Sequence, residues 1–260
     1  MKILKSLAIA FSTYSKIPMP IFEWKDEDMR YSMCFFPWVG VVIGGLVWLW
    51  FRLAAWLGIG TLTYVLVGTA IPLLVTGGIH VDGYMDTMDA FHSYQSRERK
   101  LEILKDSHIG AFSVIMLAAY GLIYLAGFAQ IMDSRSLKVY CFGFFLARCL
   151  SAIGVVSLPS ARKEGMLHQF AGSADERKVK IVLYVQLLVC CGFMVYISWI
   201  RGLAVIFAAV ISYGYYVYRS RKELGGITGD TAGYFVTVCE CAMVLASAAT
   251  SVWADGTLWM

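Results

Sequence analysis

Long apolar runs, one after another, leave this chain few ways to fold. Seven stand out: Phe35–Trp56, Leu62–Thr76, Ala111–Ile131, Val139–Pro159, Ile181–Ile200, Leu203–Tyr218 and Ala232–Trp253. The hydrocarbon core of a bilayer is about 30 Å thick, so a spanning helix needs roughly 20 mainly apolar residues. Inside lipid every backbone N–H and C=O needs an internal partner, which leaves helices as the reading for such runs. The runs hold well over half of the 260 residues, and only 15% of the chain is charged. Soluble domains carry about a quarter charged residues. The expectation is an all-α, polytopic transmembrane helix bundle of about seven spans, forming one integral membrane domain over residues 1–260. The second and sixth runs are short for a straight crossing and borrow flanking residues or sit in thinned membrane.

The N-terminus adds a further segment. Leu4–Tyr14 is apolar, follows Lys2 and contains the small pair Ala8 and Ala10. A secretory signal needs a longer apolar stretch than the one before Ala8. A half-inserted or surface-lying helix, ended by Pro18 and Pro20, fits better.

Seven spans divide the remaining chain into two sets of loops. One set, which includes the N-terminus, carries 17 Lys and Arg residues; the other carries 3. The positive-inside rule places the basic set in the cytoplasm and the C-terminus outside. The net charge of +4 then reflects anchoring to the membrane and gives no reason to invoke nucleic acid. The seven cysteines sit in or at the edges of spans without zinc spacing, as buried, inert thiols do.

Most of the chemical information follows the second run, in Gly77-Gly78-Ile79-His80-Val81-Asp82-Gly83-Tyr84-Met85-Asp86-Thr87-Met88-Asp89. Asp82, Asp86 and Asp89 stand at i, i+4 and i+7, which stacks three carboxylates on one helical face. Like charges at that spacing repel, and the membrane edge makes each ionised carboxylate costlier. A divalent cation would compensate, and hard oxygen ligands suit Mg²⁺ held by carboxylates and substrate phosphates. The plainer alternative is a solvated acidic helix start favoured by the helix dipole.

Two further clusters fall on the same side of the bilayer. Arg97-Glu98-Arg99-Lys100 through Lys105-Asp106-Ser107 precedes Gly110 and a new apolar run. Its alternating charges read equally as a solvated face, and Asp106 reads as a metal ligand or a helix cap. Gly225-Gly226-Ile227-Thr228-Gly229-Asp230-Thr231 precedes the last run. Bare backbone at a helix start is an anion site, and Asp230 there is a metal ligand or, like Thr231, a cap. Arg162 lies in a basic loop, where it binds an anionic substrate or anchors the loop. Glu240, within the last run, should face the bundle interior, and Arg148 should face it or snorkel.

At these motifs the chain resembles the cobalamin synthase family, the adenosylcobinamide-GDP ribazoletransferases, along essentially its whole length. The matching stretches are Gly77–Gly83 with Asp86 and Asp89, Arg97-Glu98-Arg99, Lys105-Asp106-Ser107 with Gly110, Phe36-Pro37…Gly40, and Thr228–Thr231 with Gly233. Ala90–Tyr94 and Tyr234 depart from the family's usual glycine-rich and small residues, and neither departure removes a carboxylate. The resemblance implies a transferase late in coenzyme B12 biosynthesis, in the cytoplasmic (inner) membrane of a prokaryote, with its active site facing the cytoplasm. Its substrates would be adenosylcobinamide-GDP and α-ribazole or the 5′-phosphate, its product adenosylcobalamin or its 5′-phosphate, and its leaving group GMP. Mg²⁺ is the implied cofactor.

On that reading Asp82, Asp86 and Asp89 are catalytic and hold the metal, with Asp106 and Asp230 completing its shell or orienting the attacking hydroxyl. His80 moves a proton. Arg97, Arg99, Lys105, Ser107, Arg162, Gly229 and Thr231 bind substrate. Membrane lipid is a partner, and a homo-oligomer or association with other B12-assembly enzymes is left open. The alternatives are a phosphotransferase of the CDP-alcohol type, whose Ala-Arg after the first Asp-Gly is absent here, and a cation-coupled transporter.

Overall fold

The computed structural model describes residues 2–106, 108–162, 172 and 174–254. The named elements are helices: α1 (Lys2–Tyr14), α2 (Asp26–Met29), α3 (Phe36–Leu57), α4 (Thr61–Thr76), α5 (Ile79–His92), α6 (Arg97–Ile103), α7 (Ala111–Ala129), α8 (Ser134–Ser157), α9 (Glu176–Ile197), α10 (Trp199–Leu224) and α11 (Gly229–Ala254). Six of them (α3, α7, α8, α9, α10 and α11) are long and apolar enough to cross a membrane, so the protein is a multi-pass membrane protein. The sixth sequence run, short as written, extends to the 26 residues of α10.

The second run behaves differently. At 1.5 Å per residue α4 is about 24 Å long, less than the hydrocarbon thickness. It ends at Gly77 and Gly78, both left-handed with φ of 64° and 81°, a conformation that glycine adopts freely. The chain turns there by 90° into α5. α4 still carries the chain back across: Trp50 Nε1 donates to the Tyr64 carbonyl near its start, and Lys16 N donates to Val75 at its end. α5 does not continue the crossing; it runs across one end of the bundle.

Two ends of the bundle result. At the first, Tyr14 packs on Phe36, Phe36 on His80, and residues 159–161 on Ile227. At the second, Asp133 caps α8 through the N–H groups of Arg135 and Ser136. Asp133 also accepts from Ser251 and lies 3.7 Å from Arg201. This division of loops is the one the basic residues make in the sequence.

α8 is the most buried crossing. α3 docks on it through Gly40 and Gly44, where a side chain would drive into the backbone of Phe144 or Cys141, a small-residue contact common between membrane helices. Within the bundle Arg148 Nη1 bonds Glu240 Oε1 at 2.7 Å and the Phe144 carbonyl at 2.9 Å. Both interior charges therefore face inward, and each is neutralised by the other. α1 is more than a surface helix. Ile9 and Ala10 are fully buried, Lys5 pairs with Asp28 at 3.0 Å, and Ser6 donates to the Asp28 carbonyl. It ends at Tyr14, ahead of the prolines.

Candidate functional site

α5 owes its position to a close helix crossing. A Cβ on Gly83 would lie 2.7 Å from the Asp230 carbonyl oxygen, and one on Gly233 would lie 3.2 Å from that of His80. Any side chain at Gly83 would push α5 off the first turn of α11. The approach brings Asp82 and Asp230 to one cleft of about 210 Å³, lined also by Tyr14, Phe36, His80 and Gly229. Tyr14 and Phe36 are site residues that sequence reasoning missed, although Phe36 belongs to a motif it had noted.

Asp86 stands one turn beyond Asp82 and is half-buried. Burial, then the charges of Asp82, Asp230 and Asp89, push its pKa up to about 6, with Arg162 acting in the opposite sense. Arg162 approaches Asp230 Oδ2 at 3.5 Å and donates to the Leu101 carbonyl at 3.1 Å. It is held there by a backbone stitch, in which Ala161 N donates to Ile227 O and Ile227 N to Pro159 O. His80 is buried, with its ring centroid 5.7 Å from that of Phe36 and 6.4 Å from that of Tyr14.

The other two carboxylates have partners of their own, although the charge of Asp89 still acts on Asp86. Asp89 accepts the N–H of Gly110 at 2.7 Å and of Ser113 at 2.9 Å, one on each oxygen. It caps α7 from outside that helix. Asp106 bonds the N–H and ring of His108 in the exposed turn after α6, and it is not among the charges that act on Asp86. Thr231 is fully buried and exchanges bonds with Thr228, each hydroxyl accepting the other's backbone N–H. That reciprocal cap starts α11 and leaves Thr231 no surface for a substrate.

The basic candidates divide too. Arg99 pairs with Glu102 in solvent, and Lys105 is exposed. The Arg97 guanidinium packs on Gly225, with no room for a Cβ between them. Ser107 lies outside the described residues. Lys100, which the sequence marks only as one charge among several, is buried and bonds Glu223 at 2.5 Å, tying α6 to α10.

Among the described residues no three acidic, histidine or cysteine groups are arranged to hold an ion by themselves. Mg²⁺ does not require that: one or two carboxylates, with water and substrate phosphates, are its usual shell. Burial first, and then the charges of Asp82, Asp230 and Asp89, raise the Asp86 carboxyl, and the oxygen donors of Asp82, Asp86 and Asp230 fit a hard cation.

Residues 6–248 match the family described as cobalamin-5-phosphate synthase. An adenosylcobinamide-GDP ribazoletransferase of Lachnoclostridium phytofermentans is 42% identical over 246 residues, covering 95% of this chain and 94% of that protein. One from Listeria monocytogenes is 35% identical over 237 residues, covering 88% and 92%. Another, from Clostridium perfringens, is 30% identical over 245 residues, covering 93% and 96%. No solved structure matches the chain.

Proposed function

The chain belongs to the cobalamin-5-phosphate synthase family, and from that membership we propose how it works as an adenosylcobinamide-GDP ribazoletransferase late in cobalamin biosynthesis. A ribose hydroxyl of α-ribazole, or of its 5′-phosphate, attacks the cobinamide-side phosphorus of the pyrophosphate. A P–O bond forms as the bond to the GMP oxygen breaks, and the hydroxyl proton passes to a base. Such a transfer asks the protein for positioning and charge neutralisation more than covalent help.

One or two of Asp82, Asp86 and Asp230, with water and substrate phosphates, would hold Mg²⁺, which supplies positive charge to the pyrophosphate oxygens when bound. Gly229, exposed at the start of α11, leaves room for a phosphate beside the first backbone N–H groups. Arg162 orients Asp230. His80 takes the hydroxyl proton, its ring kept uncharged by burial. Asp89 positions α7 and does not serve as a ligand. The cleft opens at the end of the bundle that carries the basic loops, so we place it on the cytoplasmic side of the inner membrane.

The observation that supports this most is the meeting of Asp82 and Asp230, far apart in sequence, in one cleft. The test is purified protein with adenosylcobinamide-GDP and α-ribazole 5′-phosphate, with Mg²⁺ or EDTA, beside Asp82→Asn. Metal-dependent GMP release that disappears in the variant is the expected result. Turnover indifferent to both EDTA and the substitution would remove the metal from the mechanism.

A further inference from the structure

A groove of about 500 Å³ runs along α8, with α3 and α9 as its walls, and shares no residue with the cleft. Gly44 seats α3 on Cys141, and Gly45 beside it leaves the wall bare. The groove opens outward along its length. Trp38 and Val41 on one wall, and Val185, Val189 and Phe193 on the other, are between 46% and 56% exposed. Two helices give its depth. On α8 it runs from Lys138 to Phe145, about 6 to 16 Å from the helix start at Ser134. On α9 it runs from Phe193 to Val185, about 6 to 18 Å from Ile197 at the same end of the bundle. In a hydrocarbon layer about 30 Å thick, that is the depth of one leaflet.

The groove is charged at its head and apolar below. Lys138 is exposed there, with its ammonium 5.0 Å from the Trp48 ring centroid. That contact holds the cation at the head of the groove but leaves its charge uncancelled. Among the described residues no carboxylate pairs with it. Asp133, at the same end, is engaged by the first turn of α8, by Ser251 and by Arg201. Lower down, Gln186 donates its amide to the Cys34 carbonyl at 3.1 Å. The rest of the lining is apolar side chains, cysteine thiols and glycine.

An unpaired cation near one face of the bilayer, above an apolar trough one leaflet deep, complements a phospholipid of net negative charge. We propose that the groove binds one anionic phospholipid, its phosphate on Lys138 and one acyl chain laid along α8 between α3 and α9. A zwitterionic phosphatidylethanolamine offers the same phosphate but brings its own ammonium to the lysine, so the headgroup decides the choice. The site does not rest on the transferase reading, because its test reads binding and not turnover.

Gly45 is exposed and lines the groove, and a Cβ there meets nothing within 4 Å. Gly45→Leu therefore fills the trough without a clash. The measurement is native mass spectrometry of delipidated protein in detergent, titrated with phosphatidylglycerol and phosphatidylethanolamine of identical acyl chains. The wild type should retain one phosphatidylglycerol about fivefold tighter than phosphatidylethanolamine, the worth of one lysine against an anionic headgroup. Lys138→Gln should bring the two lipids level. Gly45→Leu should weaken phosphatidylglycerol by a similar factor, and Arg135→Gln, which alters an exposed base at the same end but outside the groove, should change neither lipid. Equal retention of both lipids by the wild type would overturn the site, as would selectivity that survives Lys138→Gln or is lost equally in Arg135→Gln. Retention untouched by Gly45→Leu would overturn it too, and a dimeric mass that Gly45→Leu disperses would give the groove to a second copy of the chain instead.

Discussion

Gly83 and Asp230 touch through their backbones, with room for a hydrogen but not a methyl group between the Gly83 Cα and the Asp230 carbonyl. Gly83→Ala must separate α5 from α11 or strain them. Overpacking of this kind costs about 1–3 kcal/mol. The measurement is thermal stability in detergent alongside turnover, and activity should fall further than stability does, because Asp82 moves with α5. Unchanged kinetics would mean the crossing does not set the site.

Asp82→Asn and Asp230→Asn each remove a charge from a crowded acidic group. Turnover should fall on the order of 10²-fold or more, the scale of losing one electrostatic contact to a transition state. Stability of the metal-free protein should hold or rise. Loss of both together would assign these residues to folding.

The raised pKa of Asp86 gives a pH dependence whose sign is fixed. A carboxyl more basic in the folded than in the unfolded state contributes stability that is full below its unfolded pKa and disappears as pH rises through the folded one. In EDTA the protein should therefore melt at lower temperature as pH climbs through the window ending near 6. Other groups titrate as well, so the comparison is with Asp86→Asn, in which this part of the profile should be flat. Parallel profiles would mean that Asp86 is ordinary.

Asp89 separates a cap from a ligand. Asp89→Ala strips two acceptors from the start of α7 and should cost about 0.5–2 kcal/mol, as lost caps do. Calorimetric Mg²⁺ affinity should stay within a few-fold of wild type, in contrast with Asp82→Asn. A collapse of metal affinity with stability intact would return Asp89 to the metal.

The crossings were legible because lipid imposes one rule on every residue of a run, and the loops followed from counting Lys and Arg. The 90° break was harder to see. Gly77 and Gly78 stand in a motif that reads as a binding loop, and only their left-handed φ values show them ending one helix and aiming another. The stacked aspartates were found from helical spacing, yet spacing does not say what waits opposite. Asp82 and Asp86 face other carboxylates, whereas Asp89 faces the free N–H groups of α7. Thr228 and Thr231 satisfy one another locally, and a local cap and a substrate contact look alike in a sequence. Glu240 was expected to face inward, and Arg148 to do so or to snorkel. Their pairing depends on how α8 and α11 pack, which no local pattern records.

The backbone stitch between residues 159–161 and Ile227 bears on how such a protein can diverge. It holds Arg162 and Asp230 in register through peptide hydrogen bonds, whose donors are left in place by substitutions other than proline at Ala161 or Ile227. The stretch therefore resists changes of length, and it resists a side chain at Gly226, whose Cβ would lie 2.5 Å from the Pro159 carbonyl. One residue inserted between Pro159 and Arg162 would shift the register and carry the guanidinium away from its carboxylate, even with every side chain in the cleft unaltered.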